Sequence, residues 1–280
     1  MKAASREAQS AVAEKLDAII RDKADAGESV SVAAQVGTEL FLVVDQLDKN
    51  RALRIAVADS SLAEEQRVGI MSEIFSGKVA EATLEVLREA SSREWSAPRE
   101  FREGLVHLGR RALLRGAESE NKLGEVESEL FQLSRLFERE SELTQLLSDR
   151  TATTDQKRQL LASVLYGKVS MYTEALALQV VGRPEDNPVD DIAGIARASA
   201  ELTGREFAAV TAATELTDSQ HEALAEKLGQ IYGREMAIHT EVDPSLLGGV
   251  TIRVGDELID GSTRGKLERM RADMAANTAY

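Results

Sequence analysis

Val36-Gly-Thr-Glu-Leu-Phe41 returns at a spacing of 90 as Val126-Glu-Ser-Glu-Leu-Phe131. The correspondence continues without a gap. Leu53, Asp59 and Gln66 recur as Leu143, Asp149 and Gln156, and Gly77-Lys78-Val79 recurs as Gly167-Lys168-Val169. That is ten identities over the 44 positions from 36 to 79, where unrelated sequence yields about three. Further on, Thr83, Pro98, Gly104 and Arg115 match Thr173, Pro188, Gly194 and Arg205. The apolar spacing repeats too. Val36, Leu40, Val43 and Leu47 overlie Val126, Leu130, Leu133 and Phe137, and Ile70, Met71, Ile74 and Phe75 overlie Leu160, Leu161, Val164 and Leu165. Such spacing predicts helices with one buried stripe. The chain therefore reads as two tandem helical bundles, about 8–97 and 98–187, with 188–204 matching the start of a third. Segment 98–117 aligns with both the opening and the closing helix of the unit, and no Gly/Ser-rich linker separates the copies. It is expected to serve both bundles and join them rigidly.

After about Gly204 the period changes. Phe207 to Thr214 reads as a strand, Thr217-Asp-Ser-Gln220 as a capping box opening a helix through about Tyr232, and Met236 to Val242 as a second strand stopped by Asp243-Pro244. Val250, Ile252 and Val254 alternate with Thr251 and Arg253, the pattern of a half-buried strand. Gly255-Asp256 turns it into Glu257 to Ile259, and a last helix begins near Ser262. The fold class expected is mainly α with a small α/β (α+β) C-terminal domain: bundles at 1–97 and 98–205, then a strand–helix–hairpin–helix module at 206–280.

Composition narrows the function. The 280 residues include no cysteine, are 43% apolar and only 4% aromatic, and carry 34 Lys and Arg against 48 Asp and Glu, a formal charge of -14. This excludes a disulfide-stapled or zinc-thiolate domain and predicts aliphatic cores. The sign is wrong for a surface that releases counterions from nucleic acid or adheres to an anionic bilayer. The longest apolar runs, such as Leu40 to Val44, fall short of the about 20 residues that span a membrane. The N-terminus lacks an apolar h-region, so the expectation is a cytoplasmic protein without direct membrane insertion.

Catalytic chemistry has little to stand on. Asp260-Gly-Ser-Thr-Arg-Gly-Lys266 resembles a phosphate loop, but Asp260 stands where the first glycine belongs and Leu267 follows the lysine. His221-Glu222 opens like a zinc-protease helix, yet Ala225 occupies the second histidine's place. His221 is expected to be solvated, His107 and His239 structural, and Trp95 packed at a helix junction or, secondarily, a partner anchor. No catalytic residue, cofactor or metal is expected. Apart from the reading below, a free-standing helical-repeat adaptor and, remotely, a nucleotide enzyme built on the Asp260–Lys266 loop are the alternatives.

The run from Val242 to Met270, Val-Asp-Pro-Ser-Leu-Leu-Gly-Gly-Val-Thr-Ile-Arg-Val-Gly-Asp-Glu-Leu-Ile-Asp-Gly-Ser-Thr-Arg-Gly-Lys-Leu-Glu-Arg-Met, closely resembles the signature of the delta subunit of bacterial F-type ATP synthases. The mitochondrial counterpart is the oligomycin-sensitivity-conferring protein. The resemblance covers about 120–275. Family members usually carry one six-helix bundle, and the long form of actinobacterial type is the one with the bundle duplicated.

The resemblance implies a non-catalytic, single-copy stator subunit of the peripheral stalk, on the cytoplasmic face of the cell membrane. It implies that a helical bundle receives the N-terminal helix of an α subunit while the C-terminal domain holds the end of the b stalk, together tying the catalytic head to the membrane. Both are helix-in-groove recognitions. On the matching positions Gly248 and Gly249 are the family's glycine pair, and Asp260, Gly261 and Ser262 belong to its signature. Asp260 or Ser262 is expected to cap the last helix. Arg264, Lys266 and Arg269 are candidate b-stalk contacts. The family's first and fifth helices correspond to 8–25 and 78–92, or to 98–117 and 168–182 in the other copy. Val12, Leu16, Ile19, Val79 and Val86 are the candidates there, although apolar helix positions serve the core first.

Overall fold

A computed structural model of the chain describes residues 1–24, 28–149 and 151–277. The last residue of the 8–25 reading lies outside them. The described residues form a mainly helical fold with one small four-stranded sheet near the C-terminus, the class expected. They divide into two compact units, Met1–Val126 with Ser170–Leu176, and Glu127–Val169 with Ala177–Tyr280.

The first unit contains α1 (Ala3–Ala24), α2 (Ser29–Lys49), α3 (Arg51–Ala56), α4 (Glu64–Phe75), α5 (Glu81–Ser92) and α6 (Pro98–Ser119). Its centre is the pairing of α2 with α6. Val36, Leu40, Val44 and Leu47 are fully buried, as are Phe101, Leu105, Leu108 and Ala112. Each buried side chain of this size contributes about 1.5–3 kcal/mol. Two glycines let the helices meet. A Cβ on Gly109 would lie 2.7 Å from the Phe41 ring, and one on Gly37 would lie 3.1 Å from the Gly109 carbonyl oxygen. α2 is long and apolar enough to cross a membrane, with a mean hydropathy of 1.3 over its best 18-residue window, which apolar run length did not reveal. Its stripe is already buried in this unit.

Polar side chains lock the ends of these helices. The buried Arg67 guanidinium donates to the carbonyls of Ser91 (3.0 Å) and Ser92 (3.0 Å), the last residues of α5, and to Leu62 (2.6 Å). Glu39 accepts from the Ala80 amide (2.9 Å) and the Thr83 hydroxyl (2.5 Å) at the start of α5, neutralising the positive helix terminus. Asp17 of α1 accepts from Arg111 (2.9 and 2.6 Å) and Arg115 (2.6 Å) of α6. Trp95 is buried, donates to the Ala90 carbonyl (2.8 Å) and stands edge-on to Phe101. Packing, not partner anchoring, is its role.

The next helices are α7 (Leu123–Arg139), α8 (Ser141–Ser148), α9 (Thr154–Leu165), α10 (Met171–Gly182) and α11 (Pro188–Leu202). α4 and α9, and α5 and α10, begin and end 90 residues apart, and α6 and α11 both open on a proline. Gly77 and Gly167 sit at the same turn with φ of 71° and 68°, a backbone state that favours glycine. Asp59 and Asp149 each accept from the amide and hydroxyl two residues on.

In the second unit the sheet comprises β1 (Glu206–Ala212), β2 (Met236–Val242), β3 (Val250–Val254) and β4 (Glu257–Asp260), ordered β2-β1-β3-β4. β1 and β2 are parallel, Ala208 opposite Ile238, joined across α12 (Asp218–Tyr232); β3 is antiparallel to both β1 and β4. The expected capping box opens α12, with the Thr217 hydroxyl 3.3 Å from the Gln220 amide. One sheet face, Ala208, Val210, Met236, Ile238, Ile252 and Val254, packs with Leu228 of α12. Strand alternation turns Phe207, Ala209, His239 and Arg253 to the other face. A single 3₁₀ turn, Pro244–Leu246, precedes β3, and α13 (Thr263–Asn277) ends the described chain. His221 is half-buried, with Nε2 3.3 Å from the Ile238 carbonyl oxygen, so the solvated position expected for it is corrected: α12 turns that residue onto β2.

Gly104→Ala forces a methyl into the Trp95 ring and should cost about 1–3 kcal/mol. Gly194→Ala, at the same repeat position, meets nothing closer than 3.9 Å and should be neutral or stabilise by up to about 1 kcal/mol; calorimetric melting of both variants measures the contrast. Burial raises the Asp17 pKa, but hydrogen bonds from Arg111 and Arg115 outweigh it and leave the group below its ordinary value. Its stabilising contribution is therefore present above the unfolded carboxylate pKa and lost as pH falls through the depressed folded value. Asp17→Asn should be destabilising at pH 7, and urea titrations should show its difference from the parent shrinking under acid.

Candidate docking surfaces

The C-terminal signature builds a tight backbone knot. Leu247, Gly248 and Gly249 have φ of 60°, 151° and 76°. A Cβ on Gly249 would lie 2.5 Å from the Gly261 carbonyl oxygen and one on Gly248 2.8 Å from the Thr263 hydroxyl. Glycine is required here for both conformation and space. The Thr263 amide donates to the Gly248 carbonyl (2.8 Å) and Gly261 to Val250 (3.0 Å). Ser262 is buried and its hydroxyl accepts from the Gly265 amide (3.0 Å), the N-cap of α13. Asp260 accepts in turn from the Ser262 amide (2.9 Å) and hydroxyl (2.7 Å). These bonds hold the Asp260 carboxyl below its ordinary pKa, with Arg269 adding to them. A Cβ on Gly265 would collide with that carboxylate.

The knot launches α13, whose residues 266–271 are exposed. Leu267, Met270 and Met274 are 42%, 61% and 70% exposed. Their steps of 3 and 4 make one apolar stripe. Leu247, Leu258 and Ile259 are exposed apolar side chains on the same module. Around the stripe, Arg264 pairs with Glu268 (3.0 Å) and Arg269 with Asp260 (3.4 Å), both exposed, and Lys266 is exposed.

The other sheet face contains a cluster that no sequence pattern announced. Glu127 of α7 is 1% exposed. Its two oxygens meet Arg205 (2.9 Å) and His239 Nε2 (2.6 Å). His239 stacks on Phe207 at 5.2 Å, and Phe131 leans on both rings at 5.5 and 6.1 Å. The partners are 78 and 112 residues away in sequence, beyond the reach of any spacing rule. The only available signal was that Glu127 replaces Gly37 within the repeat.

On α1 and α5, Val12, Leu16 and Val86 are fully buried, Ile19 is 7% exposed, and Val79 is half-buried just before α5. The first four form core beneath the helices, and Val79 alone reaches the rim.

Comparison with known proteins decides the family. The sequence profile described as ATP synthase delta (OSCP) subunit matches residues 111–274. The chain belongs to the ATP synthase delta (OSCP) subunit family. Proteins named ATP synthase subunit delta from Corynebacterium efficiens and Corynebacterium glutamicum are 61% and 62% identical to it over 98% of this chain and 99% and 100% of theirs. The one from Corynebacterium jeikeium is 48% identical over the same 98%, covering 100% of its own length. A chain in the Toxoplasma gondii mitochondrial ATP synthase hexamer aligns at a TM-score of 0.32 with 16% identity, over 59% of this chain and 94% of that one, a likeness too slight to bear on the assignment.

Membership makes the chain a non-catalytic subunit of the ATP synthase peripheral stalk, associated with the membrane-bound complex. The delta-family match begins inside α6, while the Corynebacterium relatives match along the preceding helices as well. The long form is thus common to these delta subunits.

Removing the Glu127 carboxylate should strip Arg205 and His239 of their shared acceptor. Glu127→Ala is expected to cost about 3 kcal/mol, read as a lowered urea midpoint. Hydrogen exchange should localise the loosening to β2 and the start of β1, with α2 of the first unit unaffected.

Proposed function

We propose that this subunit ties the catalytic α/β head to the membrane-anchored b stalk, one copy per complex on the cytoplasmic face, so that rotor torque drives ATP synthesis. The observation that carries the reading is α13. A helix whose Leu267, Met270 and Met274 stripe stands in solvent is the apolar half of a helix–helix contact. The b subunit is its partner, with Lys266, Arg264 and Arg269 giving register at the rim. Asp260, Gly261, Ser262, Gly248 and Gly249 set the angle at which α13 leaves the sheet. On this reading 206–280 is the b-binding module and 1–97 and 98–205 are the two helical bundles.

The N-terminal helix of an α subunit is assigned to the α1–α5 face. Val12, Leu16, Ile19 and Val86 support that face from within, and Val79 meets the incoming helix. Docking at both ends without an active site matches the delta family's place in the complex.

Replacing Leu267, Met270 and Met274 together with Ser should leave the melting temperature within a few degrees, because the three side chains are exposed. Recovery of b with the tagged protein from detergent-solubilised membranes should fall at least about tenfold, and ATPase activity should uncouple from proton pumping. Unchanged b recovery with normal proton-driven synthesis would sink the reading and favour an adaptor role.

A further inference from the structure

The second unit holds a cleft that the stator reading leaves unused. It has a volume of about 250 Å³ and opens between α7, α11 and strands β1 and β3, with Phe131 and Phe207 forming part of its wall. Three guanidinium groups line it, from Arg135, Arg197 and Arg253, in a chain whose formal charge is -14. Arg135 lies over the Phe131 ring at 5.7 Å and pairs with Glu138 at 2.5 Å and, loosely, Glu241 at 3.8 Å. Its Nε is buried without a hydrogen-bond partner. Arg197 and Arg253 form no ion pair among the described residues. Of the acids on the rim, Glu138 is more than half exposed and Asp190 is bonded to the Asn187 amide at 2.5 Å.

A second hollow of about 480 Å³ shares Glu138, Val189 and Asp190 with the first and continues along α8, lined by Ser141, Thr144, Gln145 and Ser148. The Thr144 hydroxyl already donates to the Phe137 carbonyl (2.5 Å), which leaves the Ser141 and Ser148 hydroxyls and the Gln145 amide to meet a peptide backbone. An eight-residue helix is about 12 Å long, the reach of about four extended residues.

We propose that this groove docks an acidic segment of a partner chain, with a carboxylate seated among Arg135, Arg197 and Arg253 and the residues beside it lying along α8. The occupant's chemistry follows from charge complementarity. The guanidinium forks of Arg197 and Arg253, which form no ion pair among the described residues, favour a planar carboxylate, and aromatic walls strengthen that attraction by excluding water. A free inorganic anion would fill the basic end and leave the hollow along α8 empty. The assignment rests on these side chains and stands apart from the b and α contacts proposed above.

The test is amide NMR of the full-length protein titrated separately with a blocked triglutamate peptide, a blocked triglutamine peptide and inorganic phosphate. Triglutamate should give saturable shifts at Arg197 and Arg253 and along Gln145 to Ser148. Its affinity should fall at least about tenfold in Arg197→Ala/Arg253→Ala and in the milder Arg253→Gln, both melting like the parent. Triglutamine should give none. Since the chain repels acidic peptides overall, localised binding cannot come from net charge. Shifts from phosphate alone, or from triglutamate without any along α8, would overturn the peptide docking in favour of a small-anion site, and no saturable shift from any of the three would remove the site altogether.

Discussion

The C-terminal module is held to its helical neighbours by one buried carboxylate. Glu127 gathers Arg205, which lies between α11 and β1, and His239, which lies in β2. Three elements are therefore fixed by four atoms. A carboxylate that is 1% exposed carries a desolvation penalty of several kcal/mol unless it is paired. The bonds exist only when helix, connection and strand are all in place. Direction is their contribution: hydrophobic packing of Phe131 on Phe207 and His239 tolerates sliding, whereas two hydrogen bonds to opposite oxygens of one carboxylate do not. The register so imposed places Arg253 beside Arg135 and Arg197 and leaves the α12 face of the sheet to aliphatic packing.

The two copies of the helical unit show how one pattern acquires different neighbours. Val36, Leu40, Phe41, Val43 and Leu47 are buried, and so are Val126, Leu130, Phe131, Leu133 and Phe137. The stripe is common because it fills the helix's own unit. Position 37 differs. Gly37 brings α2 against α6 at the Gly109 carbonyl, and its counterpart is Glu127, which reaches a sheet instead. Gly104 and Gly194 diverge in the same way, one beneath Trp95 and the other open. A repeat preserves internal packing and is edited where its surroundings change.

This also explains what could be read in advance. Helices α4, α5, α9 and α10 were legible because apolar period and a 90-residue echo are both local properties of the chain. β3 was legible from alternation, β2 from the Asp243-Pro244 stop that follows it, and the cap of the last helix as one of Asp260 and Ser262 from their place ahead of it. The Glu127 cluster was not, because its partners are set by tertiary closure across 78 and 112 residues. The burial of Val12, Leu16 and Val86 agrees with the rule that apolar helix positions are core first, although periodicity by itself says only that a helix has an apolar face and is silent on whether that face meets its own bundle or a guest. α2 was legible as a helix from its stripe, but its overall hydropathy was not legible from apolar run length, because small and polar residues interrupt the runs without breaking the stripe.

Charge and shape assign different work to the arginines. Arg111 and Arg115 of α6 lie against Asp17 and brace the bundle; Arg205 closes the helix–sheet joint; Arg264 and Arg269 pair at the root of α13. Each of these cations is answered by a carboxylate of the same chain, as expected when 48 acids surround 34 bases. Arg197 and Arg253 stand apart because their elements bring guanidinium groups together on the face that Glu127 orients. Screening by solvent makes an unpaired surface cation unremarkable, but two beside a third whose Nε is already dry constitute a preorganised field. Such a field lowers the cost of binding a carboxylate, because the protein has met the repulsion among its own cations during folding. The same joint that orients the C-terminal module thus also shapes the proposed acid-binding groove, and the stability of the one is the precondition of the other.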